Sequence, residues 1–101
     1  MVCEIIWSSF AIKTYIDNIN YLQLEWTDRE VANFIQATDR KLNLLSNFPN
    51  AGIVTNKRIG LRKTIVVKRI LLIYRYKPRK HTIELVQFFN TWQNPIKMKK
   101  S

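Results

Sequence analysis

The hydrophobic period of this chain changes once, at Phe48-Pro49-Asn50-Ala51-Gly52. Before that loop, apolar residues recur at helical spacing. After it, β-branched and aromatic residues crowd into short runs. Pro49 and Gly52 make the loop a poor continuation of either pattern. A chain with one such switch builds its helices and its main sheet from separate stretches, which is the α+β layout.

On the helical side, Ser8 is placed to cap a helix, with Trp7 and Ile12 at the spacing of a hydrophobic staple. Ile12, Tyr15, Ile16, Ile19 and Leu22 form the expected apolar stripe. Thr27 and Glu30 repeat the device as a capping box, with Trp26 and Val31 as its staple. The second helix carries Val31, Phe34, Ile35, Thr38, Leu42 and Leu45 at 3-4 spacing. Two amphipathic helices so close together read as an antiparallel hairpin. Val2–Trp7 reads as a strand before them. Leu61–Lys68, Ile70–Tyr76 and Thr82–Phe89 read as three strands after them, with turns at Lys68-Arg69 and at Lys77-Pro78-Arg79-Lys80-His81. The expected order is β-α-α-β-β-β, a helical hairpin packed on a mainly antiparallel sheet. It forms a single domain over residues 1–96, followed by a basic tail at residues 97–101.

The net charge is +10, and it is unevenly placed. Residues 1–50 carry four Lys/Arg and six Asp/Glu, whereas residues 51–101 carry thirteen Lys/Arg and the single acid Glu84. That asymmetry points to a polyanionic partner, either nucleic acid or an acidic protein. Hydrophobic residues make up 47% of the chain, too many for a disordered basic tail protein. The lone cysteine, Cys3, excludes an intramolecular disulfide and fits the reducing cytoplasm. Its place in an apolar strand predicts a buried, inert thiol. The N-terminus does not read as a signal peptide, and no apolar run is long enough to span a bilayer. There is no Gly-rich phosphate loop and no Cys/His cluster, so neither a cofactor nor a metal is expected.

Several short matches, in order, resemble the RelE/ParE superfamily of toxins from type II toxin–antitoxin systems (plasmid stabilisation protein-like). They are Trp7-Ser8 with Ala11, Trp26 to Phe34, Leu45 through Pro49 to Gly52, Leu61-Arg62-Lys63, Ile73-Tyr74-Arg75, and Phe89-Asn90-Thr91 with Gln93-Asn94-Pro95. The resemblance covers roughly Ile5 to Lys97. It implies a small cytoplasmic toxin, growth-inhibiting when free and neutralised by an acidic antitoxin in a hetero-oligomer. The superfamily holds two activities. ParE-like members block DNA gyrase, and RelE-like members cleave messenger RNA on the ribosome.

Ribonuclease chemistry needs a base or orienting group, cations for the phosphorane and a proton donor. The only histidine, His81, lies in a charged turn and reads as solvated. The resemblance implies that Lys, Arg and Tyr on the sheet would serve instead, as in RelE-like enzymes. Arg62, Lys68, Arg75 and Tyr74 are the catalytic candidates, with Lys63, Arg69 and Tyr76 behind them. Lys57, Arg58, Arg62, Lys68, Arg69 and Trp92 are the candidate contacts for a polyanionic partner. Strand alternation puts Arg62, Thr64, Val66 and Lys68 on one face and Lys63, Ile65 and Val67 on the other. The second set is more apolar and is expected to face the helices.

Two departures count against a nuclease. RelE-like enzymes carry alternating lysines on this strand, where Thr64 and Val66 stand here. Related C-terminal motifs read Asn-Thr-Arg-Gln-Asn-Pro, but Trp92 occupies the Arg place and cannot grip a phosphate bidentately. Trp92 can stack on a base or pack against the antitoxin, and packing is preferred. A non-nucleolytic, ParE-like toxin therefore ranks first and a RelE-like ribosome-dependent endoribonuclease second. A non-toxic nucleic-acid-binding module, with Tyr74, Tyr76, Phe88, Phe89 and Trp92 as stacking platforms, is the alternative from another class, and a decayed toxin is the last.

Overall fold

The structure, a computed structural model, describes residues 2–92. The Gln93-Asn94-Pro95 motif, the end of the expected domain and the 97–101 tail lie outside them. The elements are β1 (Glu4–Trp7), α1 (Ser9–Glu25), α2 (Asp28–Asn47), β2 (Ile53–Asn56), β3 (Leu61–Val67), β4 (Ile70–Lys77) and β5 (Thr82–Asn90). Short 3-10 turns at Pro49–Ala51, Lys57–Ile59 and Pro78–Lys80 join them. The five strands form one sheet in the order β1-β5-β4-β3-β2. β2 through β5 pair antiparallel, and β1 pairs parallel with β5, matching Ile5 to Ile83 and Trp7 to Leu85. The α+β architecture of a helical hairpin on a mainly antiparallel sheet is the one read from the sequence. The strand β2 was not anticipated. All four of its residues are exposed, so it has no buried face to leave an alternating signature.

Both helix starts form as the caps predict. Ser8 Oγ accepts from Ala11 N at 3.0 Å, and Thr27 Oγ1 accepts from Glu30 N at 3.4 Å. The first staple does not form. Ile12 is left exposed, while Trp7 turns inward and stacks on Phe88 at 5.6 Å and edge-on to Tyr15 at 5.1 Å. Tyr15 and Phe88 in turn contact Phe34 at 5.3 and 6.0 Å, and these four rings tie the helical hairpin to β1 and β5. Aromatic pairs of this kind contribute about 0.5–1.5 kcal/mol beyond the area they bury. Cys3 is buried in the same core.

The buried face of α1 is also rotated from the expected stripe. Ile12 and Ile16 are exposed, and the face that packs carries Ala11, Tyr15, Asn18 and Leu22. The cause lies in β5. β1 ends opposite Leu85, so the backbone of β5 beyond that point has no strand on that side. Polar side chains of α1 take the strand's place. Thr14 Oγ1 accepts from Phe88 N at 2.9 Å, Asn18 Nδ2 donates to Phe88 O at 3.1 Å, and Ser8 Oγ donates to Val86 O at 3.3 Å. Buried backbone groups must be paired, and this requirement outranks the apolar stripe.

The face assignment on β3 is reversed as well. Arg62 and Thr64 lie opposite Tyr74 and Leu72, which are fully buried on the helix side, while Lys63 and Ile65 lie opposite Ile73 and Leu71 on the open face. The first half of β3 runs beyond the cover of the helices. Its inner face meets the Pro49–Gly52 loop, whose carbonyls suit an arginine better than an isoleucine. A bulge near Val66 then lets both Val66 and Val67 pack against the core.

Thr14→Val should destabilise the domain by about 1–3 kcal/mol, because it leaves the Phe88 N–H without its acceptor. Thr14→Ser should retain most of the stability. Urea unfolding of the two variants and the parent checks this, and equal midpoints for all three would remove the α1–β5 stitch as a stabilising feature.

Candidate functional site

The cations that the sequence singled out fall into two groups at opposite ends of β3 and β4. The first surrounds an open cleft of about 640 Å³ bordered by Lys57, Arg58, Gly60, Arg62, Arg75 and Tyr76. Lys57 and Arg58 sit on a 3-10 turn capped at its start by Asn56, whose side-chain oxygen accepts from Arg58 N at 3.1 Å. Gly60 ends that turn at φ +67, a left-handed conformation natural to glycine. An added Cβ there would lie 2.7 Å from Tyr76 O, so Gly60 also permits the close approach of the turn to β4. The signal for this turn was present as Asn56 and Gly60 around Lys57-Arg58, but it was not read.

Arg62 lines the cleft, and Tyr74, opposite it on β4, lies buried behind it. Arg62 Nη1 donates to Gly52 O at 2.7 Å and to Asn50 O at 3.1 Å. Tyr74, fully buried, donates its hydroxyl proton to Pro49 O at 2.9 Å and accepts from Gly52 N at 2.9 Å. Both side chains are therefore fasteners for the Pro49–Gly52 loop. Gly52 is required there, since a Cβ would sit 2.5 Å from the Tyr74 hydroxyl. Burial pushes the Tyr74 hydroxyl pKa up, against smaller opposing effects of the Gly52 N–H and the Arg62 charge. Tyr74 is thus neutral and enclosed, and it is not placed to serve as a solvent-facing proton donor.

Arg75 is also engaged. Its Nε donates to Ile59 O at 3.3 Å, and its Nη1 lies 3.7 Å from Glu84 Oε1. Lys77 shares the same carboxylate at 3.5 Å. Exposed pairs of this kind contribute about 0–1 kcal/mol, so they orient the side chains more than they stabilise the fold. Lys57 and Arg58 make no ion pair among the described residues.

Lys68, Arg69 and Trp92 form the second group, at the β3–β4 turn. Trp92 stacks on Trp26 with ring centres 5.0 Å apart, and the Arg69 guanidinium carbon lies 6.0 Å from the Trp92 ring. The Trp26–Trp92 stack joins the end of β5 to the tip of the helical hairpin. The packing foreseen for Trp92 was against an antitoxin; here it stacks on Trp26 of its own chain. Of the aromatics offered as stacking platforms, Tyr74 and Phe88 are buried on the helix side of the sheet. Phe89 is left on the open face, opposite Leu71.

Chemically, the first cleft can bind an anion. No carboxylate or imidazole lines it: Glu84, next to Arg75, is paired with Arg75 and Lys77, and of the two tyrosines nearby Tyr76 borders the cleft while the Tyr74 hydroxyl is doubly hydrogen-bonded beneath the loop. His81, the last residue of the Pro78 turn region, is exposed at φ 49 and away from the cleft. No group of three His, Cys, Asp or Glu side chains comes together to hold a metal among the described residues. No helix among them is long and apolar enough to cross a membrane.

No protein-family model matches the sequence, and no curated protein matches it. Among solved structures, the chain is similar to the YoeB/ParE toxin from Agrobacterium tumefaciens, with a TM-score of 0.60 over 86% of this chain and 96% of that one. The chain has a RelE/ParE-like toxin fold. At 14% identity the likeness is one of backbone, and it does not carry side-chain roles across. Within this RelE/ParE-like fold, the basic cleft lies where β2, β3 and β4 meet the loops at one end of the sheet, so the scaffold fixes its walls while Lys57 and Arg58 project from a turn.

Tyr74→Phe should cost about 1–3 kcal/mol at neutral pH, since the Gly52 N–H and Pro49 carbonyl lose their buried partner. The raised pKa sets the pH dependence. The native state holds the Tyr74 proton more tightly than the unfolded chain, so this contribution is full below the ordinary value of 10.0 and is lost as pH rises above it. The parent should therefore lose stability above pH 10 more steeply than Tyr74→Phe, measured as denaturation midpoints across that range. Equal slopes would mean the hydroxyl ionises freely in the folded protein. Tyr15, also raised by burial and by the Asp39 charge, gives the residual slope in both.

Proposed function

We propose that this chain is the toxin of a toxin–antitoxin pair and that it acts by binding its target, with ParE-like inhibition of DNA gyrase or another non-nucleolytic target as the mode of action. The RelE/ParE-like fold supports the toxin reading. The one-sided charge of the second half supports an acidic antitoxin as its cytoplasmic partner. The observation that carries the non-nucleolytic part is the cleft itself. Arg62 and Arg75 are tied to backbone carbonyls and to Glu84, the Tyr74 hydroxyl is sealed beneath the Pro49–Gly52 loop, and Lys57 and Arg58, which make no ion pair among the described residues, can attract an anion. Cutting RNA by 2′-hydroxyl attack requires a base, and no carboxylate or imidazole lines the cleft to act as one. The enclosure of Tyr74 and Phe88 also removes two of the five aromatic side chains that a nucleic-acid-binding module would use for stacking.

Isotope incorporation after inducing the chain without an antitoxin tests the reading. DNA synthesis should fall before protein synthesis, and Lys57→Glu with Arg58→Glu should weaken growth arrest at least about tenfold while leaving the fold intact by circular dichroism. An early fall in protein synthesis with cleaved messenger RNA would establish the RelE-like activity instead. Unchanged synthesis with folded protein accumulating would overturn the toxin reading.

A further inference from the structure

β3 is seven residues long, but β2 pairs only with its beginning, at Leu61, Arg62 and Lys63. From Thr64 to Val67 its outer edge faces no strand among the described residues. A cleft of about 470 Å³ lies along this bare edge, walled on the open face by Ile53, Ile65 and Leu71 and rimmed by Lys63 and Lys41. On the helix side, Arg40 and the exposed Leu44 of α2 flank Val66. Ile53 and Ile65 are 68% and 57% exposed, a large apolar surface that nothing among the described residues covers.

An unpaired strand edge is a template for another strand. Apolar side chains on both sides of it, with cations at the rim, specify what that strand carries. The charge pattern excludes two occupants. From Arg40 to Ile83 the sequence holds twelve Lys/Arg and no acid, so a second copy pairing through this same edge would bring like charge to it. The chain's own residues 93–101 carry three lysines and no acid, and they are mismatched for the same reason.

We propose that the Thr64–Val67 edge of β3 takes an extended, acidic segment of the antitoxin as an added strand, in line with β2. Its main chain pairs with the outward amides and carbonyls of Thr64–Val67. Its apolar side chains cover Ile65 and Leu71 on one face and Val66 and Leu44 on the other. Its carboxylates meet Lys41, Arg40 and Lys63. Added strands of this kind draw affinity from the main chain and specificity from alternate side chains. The inference rests on the toxin reading for the identity of the partner; the docking itself rests on the edge and its charge.

The test uses the purified chain and a blocked peptide of alternating valine and glutamate, with the alternating valine–lysine peptide as control. Amide hydrogen exchange is followed residue by residue. The glutamate peptide should slow exchange at the outward amides of Thr64–Val67, less so as salt is raised, and the lysine peptide should not. Ile65→Lys and Lys41→Glu, both at solvent-accessible positions, should each weaken the peptide about tenfold or more without changing the circular dichroism spectrum. Unchanged exchange at Thr64–Val67, equal protection by both peptides, or protection confined to the Lys57–Gly60 turn would overturn the proposal. A chain that arrests growth but has an unprotected edge refutes this inference alone. A protected edge in a chain that arrests nothing refutes the toxin reading alone.

Discussion

The Tyr74 hydroxyl and the Arg62 guanidinium hold the point where the helical half of the chain turns into the sheet. Between them they engage the carbonyls of Pro49, Asn50 and Gly52 and the N–H of Gly52. A loop buried against a sheet must have its backbone groups satisfied, and here two side chains on adjacent strands do so from one register pair, Arg62 opposite Tyr74. That pairing fixes where β2 begins, how α2 ends and how far the Lys57–Ile59 turn stands from β4. The same commitment withdraws Arg62 and Tyr74 from chemistry. The residues that look most catalytic in the sequence are the ones the architecture cannot release.

A second device works at the opposite side of the sheet. β1 is too short to cover β5, and Ser8, Thr14 and Asn18 complete what it leaves unpaired. The sheet thus has one edge finished by helix side chains and another, at β3, finished by nothing among the described residues. The contrast is informative because both edges belong to the same small domain. Exposed edges are a hazard that natural sheets blunt, and the lysines beside the β3 edge blunt it against self-association while leaving it open to opposite charge.

How far these features could be read in advance depended on whether the signal was local. Ser8 and Thr27 announced both helices because an N-cap acts within a few residues. β3, β4 and β5 were visible through their β-branched and aromatic content, and the turns at Lys68-Arg69 and Pro78–Lys80 separated them. β2 escaped because an exposed edge strand of Ile-Val-Thr-Asn has no face to hide. The inner face of α1 differs from the expected one because the half-buried Thr14 and the buried Asn18 turn inward for their hydrogen bonds, and hydrophobic periodicity counts them as polar. The inward side of β3 was misread for a related reason: Arg62 points to the loop because carbonyls lie there. The cleft's charge was legible from composition, but the partners that occupy Arg62, Tyr74 and Arg75 depend on contacts between distant segments.

The parallel pairing of β1 with β5 ties Glu4–Trp7 to Thr82–Leu85, across both helices and three intervening strands. Leu85, Phe88 and Ile83 complete the core that Ile5, Trp7 and Tyr15 begin. Contacts of such long sequence separation form late, because the loop they close spans both helices and three strands. During synthesis the helical hairpin leaves the ribosome long before β5, one of the strands it packs on, exists. The domain therefore cannot finish folding until β5 has been made, and a product interrupted before it lacks the strand that completes the core. For a protein of the kind proposed, the fold itself limits harm to chains that have reached β5.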